Sequence, residues 1–216
     1  MKILVVGANG GTGRQIVNKL KESKKYTPIA GVRAEEQIEQ FENNGIAARL
    51  INVHESVNQI AEKLDDIDTI VFTAGNESQA MFIDLDGKVK TAKAAKQKNI
   101  KRFIVISASG IHHFHDEDRL EWMNNYEEYA AGMHYSDLWI RTHSDLDYTM
   151  IRPGHLSDDA GTGKIEVGDY LPHKIITRED VASVVVEVLN EDKTIGKSFD
   201  VINGDIPINE AILTII

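Results

Sequence analysis

The sequence predicts an α/β domain built on a doubly wound, mostly parallel sheet with helices on both faces. Two observations predict it. Short runs such as residues 3–6 and 69–73 are almost continuously apolar, as strands buried on both faces are. Longer segments with helical spacing alternate with these runs, and this alternation is typical of parallel strands joined by right-handed helical crossovers.

The elements follow in chain order. Strands are predicted at residues 3–6, 29–32, 47–51, 69–73, 103–106, 148–151 and 198–202. Helices are predicted at residues 13–21, 35–43, 57–64, 86–98, within 124–142, and at 178–189. Asn44-Gly45 is a C-cap signal that ends the second helix, and Thr177 with Asp180 forms the capping box that begins the last one.

Two segments, residues 110–123 and 157–176, lack regular periodicity. Both follow the carboxyl ends of predicted strands, the edge at which ligands bind in doubly wound sheets. We expect them to form the substrate side, the second as a small lobe of one domain that spans residues 1–216.

Composition and charge disfavour several classes of function. The 24 basic and 34 acidic side chains give a formal net charge of −10, which repels phosphate backbones and argues against a nucleic-acid partner. The chain contains no Cys and therefore has neither disulfides nor a thiolate nucleophile. No apolar stretch approaches the roughly 18 residues that span a bilayer, and the first residues do not resemble a signal peptide. We therefore expect a cytoplasmic protein without a membrane partner.

A glycine-rich turn links the first predicted strand to the first predicted helix. Gly7 permits the tight turn, Gly10 lets a pyrophosphate approach the backbone, and Gly13 lets the helix pack against the strand. The helix N-terminus then offers free N–H groups to phosphates. This strand–turn–helix context predicts a dinucleotide site. Its residues are Gly7, Asn9, Gly10, Gly11, Thr12, Gly13 and Arg14.

The end of the second strand favours NADP(H) over NAD(H). An NAD site usually carries Asp or Glu there to bind the ribose 2′-hydroxyl, whereas this chain has Arg33, whose planar guanidinium suits a 2′-phosphate. Arg14 is placed to hold the same phosphate from the other side. Glu35 and Glu36 follow closely, so the alternative that Arg33 is an ordinary surface residue stays open.

Five segments together resemble a known family. They are residues 7–13, 71–75, 103–109, 146–154 and 176–182, which span nearly the whole chain. In these segments the sequence is similar to atypical members of the short-chain dehydrogenase/reductase superfamily with an NmrA-like NAD(P)H-binding domain. That group includes sugar-epimerase-like and flavin- or biliverdin-reductase-like proteins, and the resemblance implies a Rossmann-type fold.

The resemblance also implies site residues beyond the glycine turn. Around the cofactor it implies a backbone lining for the ribose and two residues that flank the adenine, namely Thr73, Ala74, Gly75, Asn52 and Val53. On the reactive side it implies a substrate-side hydroxyl and contacts to the nicotinamide carboxamide, namely Ser107, Pro153, Gly154 and His155. The candidate catalytic residues are Ser107, His155 and Tyr129, the last from the tyrosine motif of the superfamily.

One departure limits the enzymatic inference. The superfamily uses Tyr-x-x-x-Lys, in which the lysine lowers the pKa of a tyrosine that otherwise titrates at about 10. The segment that matches this motif begins at Tyr129 and has Met133 in place of the lysine. His134 is adjacent but faces another side of a helix. Tyr126 has Ala130 at the lysine position and offers no substitute.

Three interpretations follow from this departure. The first, which we favour, is a reductase of a flavin, a quinone or a similar conjugated acceptor that needs little help from a proton donor. The second is binding of NADP(H) without turnover, as in a redox sensor or regulator. The third is carbonyl or sugar chemistry in which another residue acts as the acid. In each case the partner is a small-molecule substrate or redox ligand.

Histidines cluster after the fifth strand. His112, His113 and His115 adjoin Asp116 and Asp118, but the ligand spacings of known zinc motifs are absent. We therefore expect loop residues at the substrate mouth and no metal.

Other side chains are interpreted as surface or packing residues. Trp122 and Trp139 favour packing, with stacking on a planar substrate as the alternative. The long helices leave a homodimer open, and the apolar residues 211–216 must pack on this chain or on a neighbour. A lysine series is interpreted as a solvated helix face, namely Lys88, Lys90, Lys93, Lys96 and Lys98.

Overall fold

The structure is a computed structural model that describes residues 1–215. The strands are β1 (Lys2–Val6), β2 (Thr27–Val32), β3 (Ala47–Leu50), β4 (Thr69–Phe72), β5 (Arg102–Ile106), β6 (Asp147–Pro153), β7 (His155–Ser157), β8 (Lys164–Gly168), β9 (Ile175–Thr177), β10 (Lys197–Asn203) and β11 (Ile206–Pro207). The α-helices are α1 (Gly11–Glu22), α2 (Glu35–Glu42), α3 (Val57–Glu62), α4 (Lys88–Gln97), α5 (Glu121–Asn125), α6 (Glu127–His143), α7 (Arg178–Asn190) and α8 (Ile208–Leu213).

One sheet organises the chain. Its strand order is β11-β8-β10-β6-β5-β4-β1-β2-β3. The seven neighbouring strands β10-β6-β5-β4-β1-β2-β3 pair in parallel. β8 lies antiparallel to both β10 and β11. β7 and β9 pair in parallel outside this sheet. The predicted doubly wound, mostly parallel sheet is confirmed, and its order reverses between β1 and β4, the place at which such sheets bind ligands.

The helices bury a hydrophobic core on each face of the sheet. On one face α1 and α7 contribute residues such as Ile16 and Val184, and α2 and α8 complete the cover. On the other face α3 and α6 contribute residues such as Ile60 and Ile140, together with α4. The central strands are therefore covered on both sides, which explains their continuous apolar sequences.

The predicted helix at residues 86–98 starts differently. The chain is already helical from Met81, in a π-helical segment (Met81–Gly87) that leads directly into α4. The sequence did not indicate this segment because Asp84 and Asp86 interrupt its apolar pattern. π-helical turns are frequent at functional sites, and here Asp84 within the segment and Lys88, the first residue of α4, are completely buried.

The segment 157–176 is more regular than the sequence indicated. Residues Lys164–Gly168 form β8, which extends the main sheet instead of forming a separate lobe. Ile165 is buried and Val167 is half-buried, whereas Lys164 and Glu166 are exposed. This alternation is the period of a half-buried strand, but over five residues it is too short to distinguish a strand from a loop.

The apolar C-terminus packs on this chain as far as it is described. α8 buries Ile208, Ala211 and Ile212 in the core beside α7. Ile216 lies outside the described residues. Within residues 1–215, no helix combines the length and the apolar character that a bilayer crossing requires.

Candidate functional site

A cavity of about 290 Å³ opens at the carboxyl ends of the strands around the reversal point. It lies between the glycine turn after β1 and the segments that follow β2, β3 and β4. The predicted cofactor residues that line it are Gly7, Asn9, Gly10, Arg33, Asn52, Val53, Thr73, Ala74 and Gly75. The structure thus brings residues from four parts of the sequence around one space, and their contacts to a cofactor stay a prediction.

The glycine turn is shaped for a close approach to the cofactor. Gly7 has a φ of +87°, and a Cβ atom there would lie 2.6 Å from the Ala74 backbone nitrogen. A Cβ atom on Gly13 would lie 2.3 Å from the Gly7 carbonyl oxygen, so only glycine lets α1 begin this close to β1. The first turn of α1 carries no acidic side chain, and its N-cap residue Gly10 has no side chain to cap it. Free N–H groups at such a helix end suit phosphate oxygens, so the turn fits a dinucleotide pyrophosphate.

The two predicted phosphate-binding arginines occupy different positions. Arg33 is exposed and lines the cavity at the end of β2. Arg14 lies outside the lining, where its guanidinium donates to the carbonyl and side-chain oxygens of Asn9 and lies 5.5 Å from the ring centroid of Phe41. Arg33 is therefore the cation that faces the cavity, and Arg14 packs between the glycine turn and α2.

The remaining lining residues were not singled out from the sequence. They include Gln37, His54, Asn76 and Ile83. His54 directly follows the predicted residue Val53, and Asn76 directly follows the predicted residue Gly75. Five predicted cofactor residues lie outside the lining because they begin α1 or end β6, namely Gly11, Thr12, Gly13, Arg14 and Pro153.

A buried ion pair lies behind the end of β5. The Nζ of Lys88 lies 3.0 Å from Asp137 Oδ1 and 3.3 Å from the sulfur of Met133, and Lys88 is fully buried. Asp137 also accepts a hydrogen bond from Ser107 Oγ. The prediction that Lys88 belongs to a solvated helix face is therefore wrong, because the π-helical segment turns it inward. A positive charge lies beside Met133, but it comes from α4 and not from α6.

Asp84 adds a second buried carboxyl group to this region. Its Oδ2 accepts the backbone N–H of Asn76 at 3.0 Å, and a Cβ atom on Gly75 would lie 2.9 Å from its Oδ1. Burial raises the pKa of Asp84, against the opposing effects of the Asn76 N–H and the Lys88 charge. Asp84 therefore keeps a proton more readily than an exposed aspartate, directly beneath the wall of the cavity.

Tyr129 lies one helical turn before Met133 and is partly exposed. Burial raises its pKa well above the usual phenol value, and the carboxyl groups of Asp84, Glu77 and Asp137 raise it further. A phenol in this environment stays protonated at neutral pH, so it donates hydrogen bonds but is poorly matched to proton exchange. Among the described residues, the Tyr–Lys pair of the superfamily is therefore not assembled.

Aromatic rings form a surface beyond the end of β5. Trp122 stacks on His173 with ring centroids 5.7 Å apart, and Tyr129 meets Trp122 edge-on at 6.3 Å. The Ser109 hydroxyl lies 2.6 Å from His173 Nδ1, and the ring of His155 lies 6.2 Å from that of His173. Burial and His155 lower the pKa of His173, so its ring is neutral at pH 7. We call Trp122, Tyr129, His155 and His173 the aromatic surface. All four side chains are at least partly exposed.

The sequence did not indicate His173, because segment 157–176 shows no periodicity that would assign this residue to a strand or a helix. Trp122 was interpreted as a packing residue. It does pack, since its Nε1 donates to the Ser109 carbonyl oxygen at 3.2 Å, but part of the ring stays accessible.

The three histidines after β5 engage different neighbours. His112 Nδ1 lies 2.6 Å from the guanidinium of Arg152, His113 pairs with Asp116 at 2.5 Å, and His115 is exposed. Burial and the Arg152 charge lower the pKa of His112 to about 4, so it is neutral at pH 7. In the part of the chain that the structure describes, no group of three or more histidine and acidic side chains is placed to hold a metal ion.

Comparison with known proteins agrees with this geometry. A family model described as NAD(P)H-binding matches residues 7–192. The chain belongs to this family. The match begins at Gly7, the first glycine of the turn, directly after β1, and it includes β2, β3 and β4, whose carboxyl ends border the cavity.

Individual relatives cover nearly the whole chain. The uncharacterized sugar epimerase YhfK of Bacillus subtilis is 36% identical over 217 residues, which cover 98% of this chain and 99% of that protein. The crystal structure of the oxidoreductase ylbE from Lactococcus lactis superposes with a TM-score of 0.90 at 31% identity, over 99% of this chain and 96% of that chain. ChuY of Escherichia coli O157:H7, an anaerobillin reductase, shares the fold with a TM-score of 0.81 at 21% identity, over 95% of this chain and 98% of that chain. The predicted family resemblance and Rossmann-type fold are confirmed.

Proposed function

We propose that the protein is an NADPH-dependent oxidoreductase that reduces a planar, conjugated acceptor such as a flavin or a quinone. The observation that carries this proposal is the aromatic surface, whose part-exposed rings lie at the carboxyl ends of β5 and β6, beside the strands that border the cofactor cavity. Flat rings of this kind bind flat conjugated molecules by stacking. A bound nicotinamide would supply the hydride.

The environment of Tyr129 supports an acceptor that needs no strong acid. A flavin or a quinone spreads the negative charge left by hydride transfer over its ring system, so its proton can come later from water. An isolated carbonyl needs a proton donor in the transition state, and Tyr129 is poorly suited to that role because its pKa is raised. The descriptions of ylbE and ChuY as redox proteins agree with this choice, whereas that of YhfK names sugar chemistry.

The remaining candidate residues take positioning roles in this proposal. The Ser107 hydroxyl donates a hydrogen bond to Asp137, so the lone pairs of its oxygen are left to accept from a donor group of the substrate. Pro153 ends β6 and His155 begins β7, and both would contact the nicotinamide carboxamide. His173, neutral and held by Ser109, offers a hydrogen-bonding group to the acceptor.

Arg33 supports NADPH over NADH, and we expect Arg33→Gln to separate the two cofactors. Loss of charge-assisted hydrogen bonds to the 2′-phosphate should weaken NADPH binding by about 10- to 100-fold, because such bonds contribute about 1.5–3 kcal/mol. NADH, which lacks this phosphate, should bind within about twofold of the original affinity. Fluorescence titration with each cofactor measures both. Arg141→Gln is the matched control, since Arg141 is exposed on α6 and lies outside the lining. Equal losses for the two cofactors would contradict the assignment of Arg33.

Turnover is tested by following nicotinamide absorbance when NADPH is mixed with FMN, menadione or a small aldehyde. We expect oxidation of NADPH with FMN or menadione and little with the aldehyde. Tyr129→Phe should keep activity within about threefold, because the phenol does not exchange a proton in this scheme. Trp122→Ala should raise KM for the planar acceptor, whereas Tyr135→Ala, which removes an exposed ring of α6 outside the aromatic surface, should not.

Two outcomes would overturn the proposal. Tight NADPH binding without oxidation across the panel would favour an NADP(H)-dependent sensor, the function that Met133 in the motif position also supports. Aldehyde reduction that is lost in Tyr129→Phe would show that the phenol acts as an acid after all.

A further inference from the structure

Arg178, the first residue of α7, lies over the start of α1. A Cβ atom on Gly11 would lie 2.9 Å from both Cδ and Nε of Arg178. Gly11 is the first residue of α1, at the end of the helix that carries the free N–H groups of the glycine turn. The Arg178 side chain therefore crosses the phosphate-binding turn, and the absence of a side chain at Gly11 makes room for it.

Hydrogen bonds of the neighbouring residues hold the backbone at Arg178. Thr177 caps α7 through its side chain, which accepts the Asp180 N–H at 3.0 Å. The carboxyl group of Asp180 in turn accepts the N–H groups of Thr162 and Gly163, each at 2.9 Å. These bonds lower the pKa of Asp180, against the effect of its burial, so it remains ionised at neutral pH. The backbone that carries Arg178 is therefore held in place, and the guanidinium can change partner by a rotation of the side chain alone.

The present partner of Arg178 is weakly held. Its guanidinium donates to Asp158 Oδ1 at 2.9 Å, and 87% of the Asp158 side chain is exposed, against 26% for Arg178. Ion pairs with such exposed carboxylates contribute about 0–1 kcal/mol. A phosphate oxygen at the turn offers a charge-assisted and bidentate alternative in a less exposed place.

We propose that Arg178 binds the pyrophosphate of the nicotinamide cofactor and exchanges Asp158 for it on binding. Asp158 is then a competing anion that holds the arginine near the turn while the site is free of cofactor. The proposal rests on the cofactor class that the family fixes, and it does not depend on the acceptor or on turnover. Segment 158–163, which carries Asp158 and the donors to Asp180, would lose one of its contacts when the cofactor binds.

The position of Arg178 distinguishes the pyrophosphate from the 2′-phosphate as its target. Arg33 lines the cavity at the end of β2, whereas Gly11 and Arg178 lie outside that lining. The pyrophosphate is common to NADPH and NADH. Arg178 should therefore affect both cofactors alike, in contrast to Arg33.

The test measures dissociation constants of the intact protein for NADPH and NADH by fluorescence titration. Arg178→Gln should weaken both by about tenfold or more, because a charge-assisted contact is lost. Asp158→Asn should strengthen both by about two- to fivefold, because the competing pair is removed. Gly11→Ala, which keeps the charge but displaces the arginine, should weaken both cofactors as well.

Matched controls come from an exposed ion pair near the amino ends of β5 and β6, at the side of the sheet opposite the glycine turn. Lys96 pairs with Asp145 there, so Lys96→Gln and Asp145→Asn remove the same charges without touching the turn. Both should leave the dissociation constants unchanged, and thermal unfolding of each variant confirms that it is folded. Unchanged affinity in Arg178→Gln would overturn the proposal. A loss confined to NADPH would do so too, because it would place Arg178 on the 2′-phosphate.

Discussion

Replacing Lys88 with Met is expected to lower the free energy of unfolding by about 3–5 kcal/mol. The ammonium group is fully buried and lies 3.0 Å from Asp137 Oδ1. Removing it leaves the Asp137 carboxylate in the interior with the Ser107 hydroxyl as its remaining hydrogen-bond donor among the described side chains. The cost is that of an uncompensated buried charge, which greatly exceeds the loss of a surface pair.

Urea unfolding monitored by circular dichroism measures this change. Lys96→Gln, which breaks an exposed pair on the same helix, should cost less than about 1 kcal/mol. The double variant Lys88→Met/Asp137→Asn removes both charges and should recover part of the loss, and comparison with Lys88→Met and Asp137→Asn alone gives the coupling energy of the pair. If Lys88→Met were as stable as Lys96→Gln, the ion pair would not be buried in solution.

The sequence predicted most of the fold because the relevant signals are local. Continuous apolar strands, helical spacing and the glycine turn each fall within a few residues, and together they indicated the doubly wound sheet. The turn also indicated where the cavity lies, because its glycines mark a place of close backbone approach. The structure agrees, since Gly7 and Gly13 have no room for a side chain. β8 was missed because its alternation extends over only five residues.

The reactive side was predicted less well because its contacts join distant segments. Lys88 and Asp137 are 49 positions apart, and Ser109 and His173 are 64 apart. Lysine spacing on one helix indicated a solvated face, and only the π-helical segment turns Lys88 inward. The absence of a lysine at Met133 was visible in the sequence, but the charge beside it was not.

Met133→Lys is therefore expected to destabilise the protein and not to restore the superfamily motif. The Met133 sulfur lies 3.3 Å from Lys88 Nζ, and Met133 is buried. A lysine at this position would bring a second ammonium group beside the first, with Asp137 already engaged. Like charges in such an environment repel strongly, and we expect a loss of about 2–4 kcal/mol with no gain in aldehyde reduction.

Moving the charge instead of adding it should have the opposite effect. In Lys88→Met/Met133→Lys the cation count is unchanged, and the new ammonium lies on the same face of α6 as Tyr129, one turn away. Stability should exceed that of either single variant. The pKa of Tyr129 should fall from its raised value, which spectrophotometric titration detects by subtracting the same variant with Tyr129→Phe. If only the double variant reduces aldehydes, the position of the ammonium group is what prevents carbonyl reduction in the original protein. If the single Met133→Lys variant were stable and active on aldehydes, Lys88 would not be the obstacle.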